Sequence, residues 1–209
     1  MPRLAHREPR RSRASDLLDE AKGRLEDEAK FLKSWLEKPL VTASVAPSSR
    51  QLARAMAACV DPRVPGPVIE LGPGTGPVTE ALLHRGVDES RLVLLEFNPD
   101  FCELLRERFP RARIVQGDAY DLARVARAAI DAPAAAIVSG LPLFTKPEER
   151  RLALLGDAFD IMHPGCPFVQ FTYALVSPMP LKEAAFRAER SPRIWLNLPP
   201  AQVWTYRRG

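Results

Sequence analysis

Three carboxylates are set where side chains do chemistry. Glu70 follows the apolar pair Val68-Ile69, Glu96 follows Leu92-Val93-Leu94-Leu95, and Asp118 closes Ile114-Val115-Gln116-Gly117. Each is the end of a strand-like run, and after Glu70 comes Leu71-Gly72-Pro73-Gly74-Thr75-Gly76-Pro77, with a helical pattern beginning at Pro77. Glycines at alternate positions permit positive φ and remove the Cβ atoms that would hold a ligand off the main chain. Pro77 suits a first helical turn, where its missing N–H costs nothing. Strand, glycine turn and helix together predict a nucleotide-type site.

Charge selects the nucleotide. A dinucleotide brings an anionic pyrophosphate to such a turn, and a carboxylate just before the first glycine repels it. S-adenosylmethionine carries a sulfonium and an ammonium, which an acid at Glu70 suits. Gly72, Gly74 and Gly76 then form the cofactor loop. Glu96, twenty residues past Gly76, ends a second strand where a carboxylate can accept both ribose hydroxyls. Asp118 can accept from the adenine amino group, and Phe97 and Ala119, which follow the two acids, are counted with the same site.

The joint spacing of Glu70, the glycines, Glu96 and Asp118 resembles the class I S-adenosylmethionine-dependent methyltransferases, from about residue 67 to the C-terminus. The elements that must position these residues alternate. Strands are expected near 68–71, 91–97, 112–116 and 134–139, with helices near 77–86, 99–108 and 119–130. A helix near 146–161, a strand at 167–173 and a closing pair near 187–196 and 201–207 follow. Alternation of this kind implies an α/β fold, a parallel sheet with helices on both faces and ligand at the carboxyl ends of the strands. The resemblance implies a Rossmann-like, mostly parallel seven-stranded sheet whose last two strands form a hairpin that inserts an antiparallel strand.

With 209 residues and 46% hydrophobic content, the chain can bury one good core. We expect three parts: a disordered basic arm over 1–15, an amphipathic helix with its link over 16–46, and a methyltransferase domain over 47–209. In the arm, five arginines stand against Glu8 alone. In the helix, Leu18, Ala21, Leu25, Ala29, Leu32 and Leu36 recur every three or four residues, with Trp35 beside the stripe and lysines flanking it. Such a helix either packs on its own domain or lies in a membrane interface, and Leu25, Leu32 and Trp35 are its expected membrane contacts. Pro47-Ser48-Ser49-Arg50 opens a further helix, with a serine as cap, and is also a small anion site able to hold a phosphate.

A net charge of +4 and a pI near 9.2 point to an anionic partner, nucleic acid or acidic lipid. The first residues lack the apolar core of a signal peptide. No run approaches the roughly 20 apolar residues that span a bilayer, so any membrane contact is expected to be peripheral. Cys59, Cys102 and Cys166 read as reduced core thiols of a cytoplasmic protein. His6, His84 and His163 form no pair at ligand spacing, and no metal is expected.

The fourth strand ends in Ser139-Gly140-Leu141-Pro142-Leu143-Phe144. In class I enzymes this stretch faces the transferred methyl, and nucleic-acid adenine dimethylases place an Asn-Leu-Pro-aromatic motif there. This chain has Ser139-Gly140 in place of the amide and Leu143 in place of the aromatic. Without the amide oxygen a planar base amine loses an acceptor. Together with Phe31-Leu32-Lys33-Ser34-Trp35, Pro47-Ser48-Ser49-Arg50, Gln170-Phe171-Thr172-Tyr173 and Leu196-Asn197-Leu198-Pro199-Pro200-Ala201, the stretch resembles the bacterial phospholipid N-methyltransferases. That resemblance implies methylation of phosphatidylethanolamine and its mono- and dimethyl forms at an anionic membrane surface, on the inner face of the membrane. The expected acceptor residues are Ser139, Gly140, Leu141 and Tyr173. Tyr173, Tyr120 and Phe144 offer aromatic faces to a methylated ammonium, and Ser48, Ser49 and Arg50 a phosphate site. Two other readings compete, an RNA adenine dimethylase and a non-catalytic adaptor on the same fold. The dimethylases carry a helical RNA-binding domain after the catalytic one, whereas this sequence ends at Gly209, so nucleic acid is not expected as partner. Intact cofactor acids oppose the adaptor.

Overall fold

A computed structural model describes residues 47–181, 185–197 and 199–209. The expected basic arm, the amphipathic helix and its contacts Leu25, Leu32 and Trp35 lie outside them. The described elements run in the order α1 (Pro47–Ala58), β1 (Val68–Leu71), α2 (Pro77–His84), β2 (Leu92–Glu96), α3 (Pro99–Arg108) and β3 (Arg113–Gln116). Then come α4 (Leu122–Arg127), β4 (Ala136–Ser139), α5 (Glu148–Ile161), β5 (Phe168–Thr172), β6 (Phe186–Arg190) and β7 (Gln202–Arg208).

The seven strands form one sheet in the order β3-β2-β1-β4-β5-β7-β6. All neighbours are parallel except β7, which runs antiparallel to both β5 and β6. The expected insertion of an antiparallel strand is therefore present. Successive side chains of a strand point to opposite faces, and the core divides accordingly. Ile69, Leu71, Val93, Leu95 and Ile137 pack with Leu122 and Ala126 of α4 and Leu154, Leu155 and Ala158 of α5. Val68, Leu92, Leu94 and Val138 pack with Leu52 and Met56 of α1, Leu82 of α2 and Leu105 of α3.

Three expectations shift. The helix expected near 119–130 is a tight turn over Ala119–Asp121 followed by the short α4, because Asp121 (φ −110°, ψ 37°) is not helical. The strand expected near 187–196 ends at Arg190, since Pro192 has no N–H to continue a ladder. Helix α1 includes Ser48 and Ser49 within Pro47–Ala58, so neither is its cap.

Strand order reverses between β1 and β4, since the chain proceeds outward from β1 through β2 to β3 and then returns to the other side of β1. Ligands of open α/β sheets bind at such a switch point, outside the carboxyl ends of the strands.

Candidate active site

Beyond β1, Gly72, Gly74 and Gly76 take φ values of 67°, 56° and 87°, so the loop needs a left-handed conformation three times within five residues. The loop is tied to the neighbouring strand. Gly72 N donates to Leu95 O at 2.9 Å, and Gly74 N donates to Glu96 Oε2 at 3.1 Å. The other carboxylate oxygen of Glu96 accepts from Phe97 N and Asn98 N, both at 2.9 Å. Glu96 thus holds the glycine loop against the turn into α3, whose cap is Asn98, accepting from Asp100 N at 2.8 Å. From α3, Arg108 reaches back to the Thr75 carbonyl and to Glu80.

Between these loops lies a cavity of about 690 Å³, whose wall includes Gly72, Gly74, Glu96, Asp118, Gly140 and Leu141. Phe97, Ala119 and Tyr120 also line it. The residues expected to meet the cofactor's ribose, adenine and methionyl backbone approach are therefore brought together from the ends of β1, β2 and β3. Asp118 Oδ1 accepts from Tyr120 N at 2.9 Å and stays exposed toward the cavity. Phe97 is 73% exposed, leaving its ring free to cover a flat ligand. Paired carboxylates, a side-chain-free loop and an aromatic flank fit S-adenosylmethionine, with Glu96 and Asp118 toward the nucleoside.

Glu70 stands elsewhere. It is 2% exposed, does not line the cavity, and accepts from Thr79 Oγ1 at 2.7 Å. Burial pushes its carboxyl up to about 8, against the pull of the Thr79 hydroxyl and aided by the charge of Glu96. Ionised, it faces the loop from behind with a negative charge suited to a cationic ligand; in the ligand-free protein at neutral pH it holds its proton.

Gly76 is also displaced from its expected role. A Cβ there would lie 2.6 Å from the Phe109 ring, so this glycine lets the start of α2 seat on α3 and does not line the cavity.

On the acceptor side, Gly140 N donates to Leu71 O at 2.8 Å, and a Cβ at 140 would stand 2.8 Å from the Gly72 carbonyl oxygen. Two backbones cross at the switch point with no space for a side chain. Ser139 is fully buried, its Oγ accepting from Leu141 N at 3.3 Å, so the hydroxyl shapes its own loop and does not meet a substrate. The Leu141 carbonyl accepts from Gln170 Nε2 at 3.1 Å. Leu143 turns into the core, 2% exposed.

The expected aromatics divide. Tyr120 lines the cavity; burial, then the Asp118 charge, pushes its phenol up to about 12 against the opposing pull of Arg151 and the Thr145 side chain, and the hydroxyl is buried. Lys146 Nζ stands 4.8 Å from its ring centroid. Phe144 lies under the Arg151 guanidinium at 5.4 Å and does not line the cavity. Tyr173 packs edge-on against Phe171 at 5.4 Å in the other core layer and does not line it either. Arg50 is exposed on α1, away from the cavity wall. Thr79, Arg108, Lys146 and Gln170 are functional neighbours that the sequence reading passed over. Only Asn98-Pro99 and the Thr79 hydroxyl, one turn past the glycines, carried a local signal.

A methyltransferase domain family matches residues 68–165. An ornithine lipid N-methyltransferase of Singulisphaera acidiphila is 36% identical over 145 residues, covering 68% of this chain and 76% of that relative. The chain belongs to the class I S-adenosylmethionine-dependent methyltransferases, and S-adenosylmethionine is its methyl donor. Ribosomal RNA small subunit methyltransferase A of a Synechococcus species is 37% identical over 92 residues, 43% of this chain and 29% of that protein. Among solved structures, magnesium protoporphyrin IX methyltransferase from Synechocystis PCC 6803 with bound S-adenosylmethionine superposes with a TM-score of 0.57 at 10% identity, over 78% of this chain and 80% of that one. It shares the fold. Among the described residues, no helix is long and apolar enough to cross a membrane.

Proposed function

We propose that the chain methylates the amine of a membrane lipid, with phosphatidylethanolamine and its mono- and dimethyl forms as substrates and ornithine lipid as the alternative amine of the same class. The observation that carries this reading is the crossing of Gly140 on the Gly72 carbonyl. An amide side chain at that position, which an adenine acceptor needs, has no room. The similarity to an ornithine lipid N-methyltransferase supports the same class of substrate.

The donor supplies an electrophilic methyl on a sulfonium, so the protein has to bind, orient and dehydrate a neutral amine. The Leu141 carbonyl accepts from Gln170 Nε2 at 3.1 Å and from Leu143 N at 2.9 Å, and these two bonds fix the part of the cavity wall that the amine has to approach. Tyr120 keeps its proton at neutral pH and its hydroxyl is buried, so it cannot serve as base; what it offers the cavity is its ring, which can face the ammonium that forms. Lys146 places a positive charge on the acceptor side, where a head-group phosphate or carboxylate would lie. The proton leaves the amine to water. The reading is tested with labelled donor offered in parallel to vesicles of phosphatidylethanolamine, vesicles of ornithine lipid, and ribosomal RNA. Label is expected in lipid nitrogen and not in RNA; labelled adenine with inert lipid would reverse the assignment. The RNA reading has its own support in the similarity to a ribosomal RNA methyltransferase over 92 residues, and this experiment separates the two.

A further inference from the structure

The loop between β6 and β7 closes on itself. Ile194 N donates to Ala201 O at 2.8 Å, Asn197 Nδ2 donates to Pro199 O at 2.7 Å, and Gln202 Nε2 donates to Ser191 O at 2.8 Å. At its tip Trp195 and Leu196 are 74% and 71% exposed. A frayed loop exposes such residues by chance, whereas a hydrogen-bonded tip holds them out. Arg193 fastens the tip to the chain just past β5: its Nη2 donates to Tyr173 O at 2.9 Å and to Pro200 O at 3.0 Å, and its guanidinium lies 5.9 Å from the Trp195 ring centroid. Just beyond Tyr173, Leu175 and Val176 are also exposed, as is Leu181.

The sheet register places this patch. Thr172 at the end of β5 pairs with Gln202 at the start of β7, so the tip stands at the carboxyl edge of the parallel strands, the edge on which the cofactor cavity opens. Phe97, beyond the end of β2, is exposed on the same edge at the far side of the cavity. Apolar groups thus border the cavity along the edge, with cations among them: Arg193 under Trp195, Arg190 exposed at the end of β6, and Lys146 exposed at the cavity itself. Large exposed apolar side chains gathered on one edge point to an interaction site. Tryptophan with flanking arginine and lysine suits the boundary between acyl chains and anionic head groups.

We propose that this edge, led by Trp195 and Leu196 with Leu175 and Val176, is the surface by which the enzyme docks on an anionic lipid bilayer, so that the head group enters the cavity straight from the membrane. The proposal rests on the reading of the chain as a lipid-amine methyltransferase. It adds a second contact to the amphipathic helix expected within residues 16–46 and sets the orientation of the domain.

The test uses the full chain and vesicles of equal parts phosphatidylethanolamine and phosphatidylglycerol. The chain holds three tryptophans, Trp35, Trp195 and the buried Trp204. In Trp35→Phe, acyl-brominated lipid is expected to quench the fluorescence, and adding Trp195→Phe should remove the quenched component. Replacing both Trp195 and Leu196 by Ser should weaken vesicle partition by about tenfold or more, the order expected for withdrawing one large apolar side chain from lipid, with donor affinity unchanged. Trp35→Phe protein that sediments with vesicles but shows no quenching overturns the proposal, and indicates instead that residues 1–46 cover the patch or bind alone. Unchanged partition of the serine pair overturns it as well. Lipid methylated in detergent micelles without any quenching removes the surface and leaves the function; quenching through Trp195 with no lipid methylated removes the function and leaves the surface.

Discussion

Replacing Glu96 by Ala removes an acceptor that serves the protein and the ligand at once. In the ligand-free protein its two oxygens receive three backbone N–H groups, from Gly74, Phe97 and Asn98. A carboxylate has about four lone-pair sites, so one direction remains for a ribose hydroxyl, and the long Gly74 hydrogen bond can yield to a second. A hydrogen bond to a charged group contributes about 1.5–3 kcal/mol. Losing one ribose bond alone predicts a roughly ten- to hundredfold weaker donor affinity. Loosening of the Gly72–Gly76 loop adds to this loss, because among the described residues no other side chain ties Gly74 to β2.

Calorimetry with S-adenosylhomocysteine and its 2′-deoxy analogue separates the two contributions. If Glu96 accepts from the ribose, the natural ligand should lose about tenfold more than the deoxy analogue on going from wild type to Glu96→Ala. Loop loosening alone would weaken both equally. Equal losses would refute direct recognition and leave Glu96 as a positioning residue, and unchanged affinity for both would remove it from the site. Thermal unfolding of the ligand-free variant supplies the control, since untying the glycine loop from Glu96 lowers stability before any ligand is added.

Glu70 makes donor affinity and stability move in opposite directions with pH. Its folded pKa is raised from 4.5 to about 8, so the folded state binds the extra proton between those values, and stability should fall as pH rises through them by at most about 1.4 kcal/mol per pH unit. A cationic ligand favours the ionised carboxylate, so affinity should rise toward pH 8 with a proton released on binding; Glu70→Gln should abolish both slopes, read by denaturant titration and by calorimetry in two buffers. Gly140→Ala puts a Cβ 2.8 Å from the Gly72 carbonyl and should cost about 1–3 kcal/mol of stability, with a weakened donor site; a variant that binds and unfolds as wild type would contradict the crossing. Gln170→Ala removes one of the two donors to the Leu141 carbonyl and the side-chain donor to the Phe171 carbonyl and is expected to lower turnover by about tenfold at unchanged donor affinity, from the loss of one hydrogen bond that holds the acceptor wall; a change in donor affinity instead would place Gln170 on the cofactor side.

The cofactor half was legible because its signals are local. A strand end, three glycines and an acid each keep their meaning within a few residues, and Glu96 and Asp118 fall where alternation of strands and helices puts them. Gly76 misled because its neighbour, Phe109, is the residue that caps α3, more than thirty residues on. On the acceptor side Gly140, Leu141 and Tyr120 reach the cavity wall, whereas Tyr173 and Ser139 do not, for a related reason. Tyr173 shares strand parity with Phe171 and Val169, which face the layer of α1, α2 and α3, whereas Leu95, Leu141 and Tyr120 of the cavity belong with the other layer. The parity was readable in Gln170-Phe171-Thr172-Tyr173, but nothing in the sequence states which layer holds the acceptor. Ser139 likewise reads as exposed beside Gly140, and only the β1–β4 register turns it inward.

The switch point explains why the two halves cannot vary independently. Gly72 belongs to the cofactor loop and Gly140 to the acceptor loop, and they touch through backbone alone. The distance from donor to acceptor is therefore fixed by two main chains that have no rotamers to adjust, which is the rigidity that an in-line methyl transfer rewards. A side chain at 140 would read the acceptor directly but would also push the donor loop, so specificity has to be supplied from farther out. The groups available there are the loop at Leu141, held by Gln170, the Tyr120 ring and the Lys146 charge. On the proposed reading these suit an amine and its anionic neighbour without requiring a flat base. A small tetrahedral nitrogen that gains methyls one at a time can turn within such a wall, and bulk beyond it can stay in the bilayer.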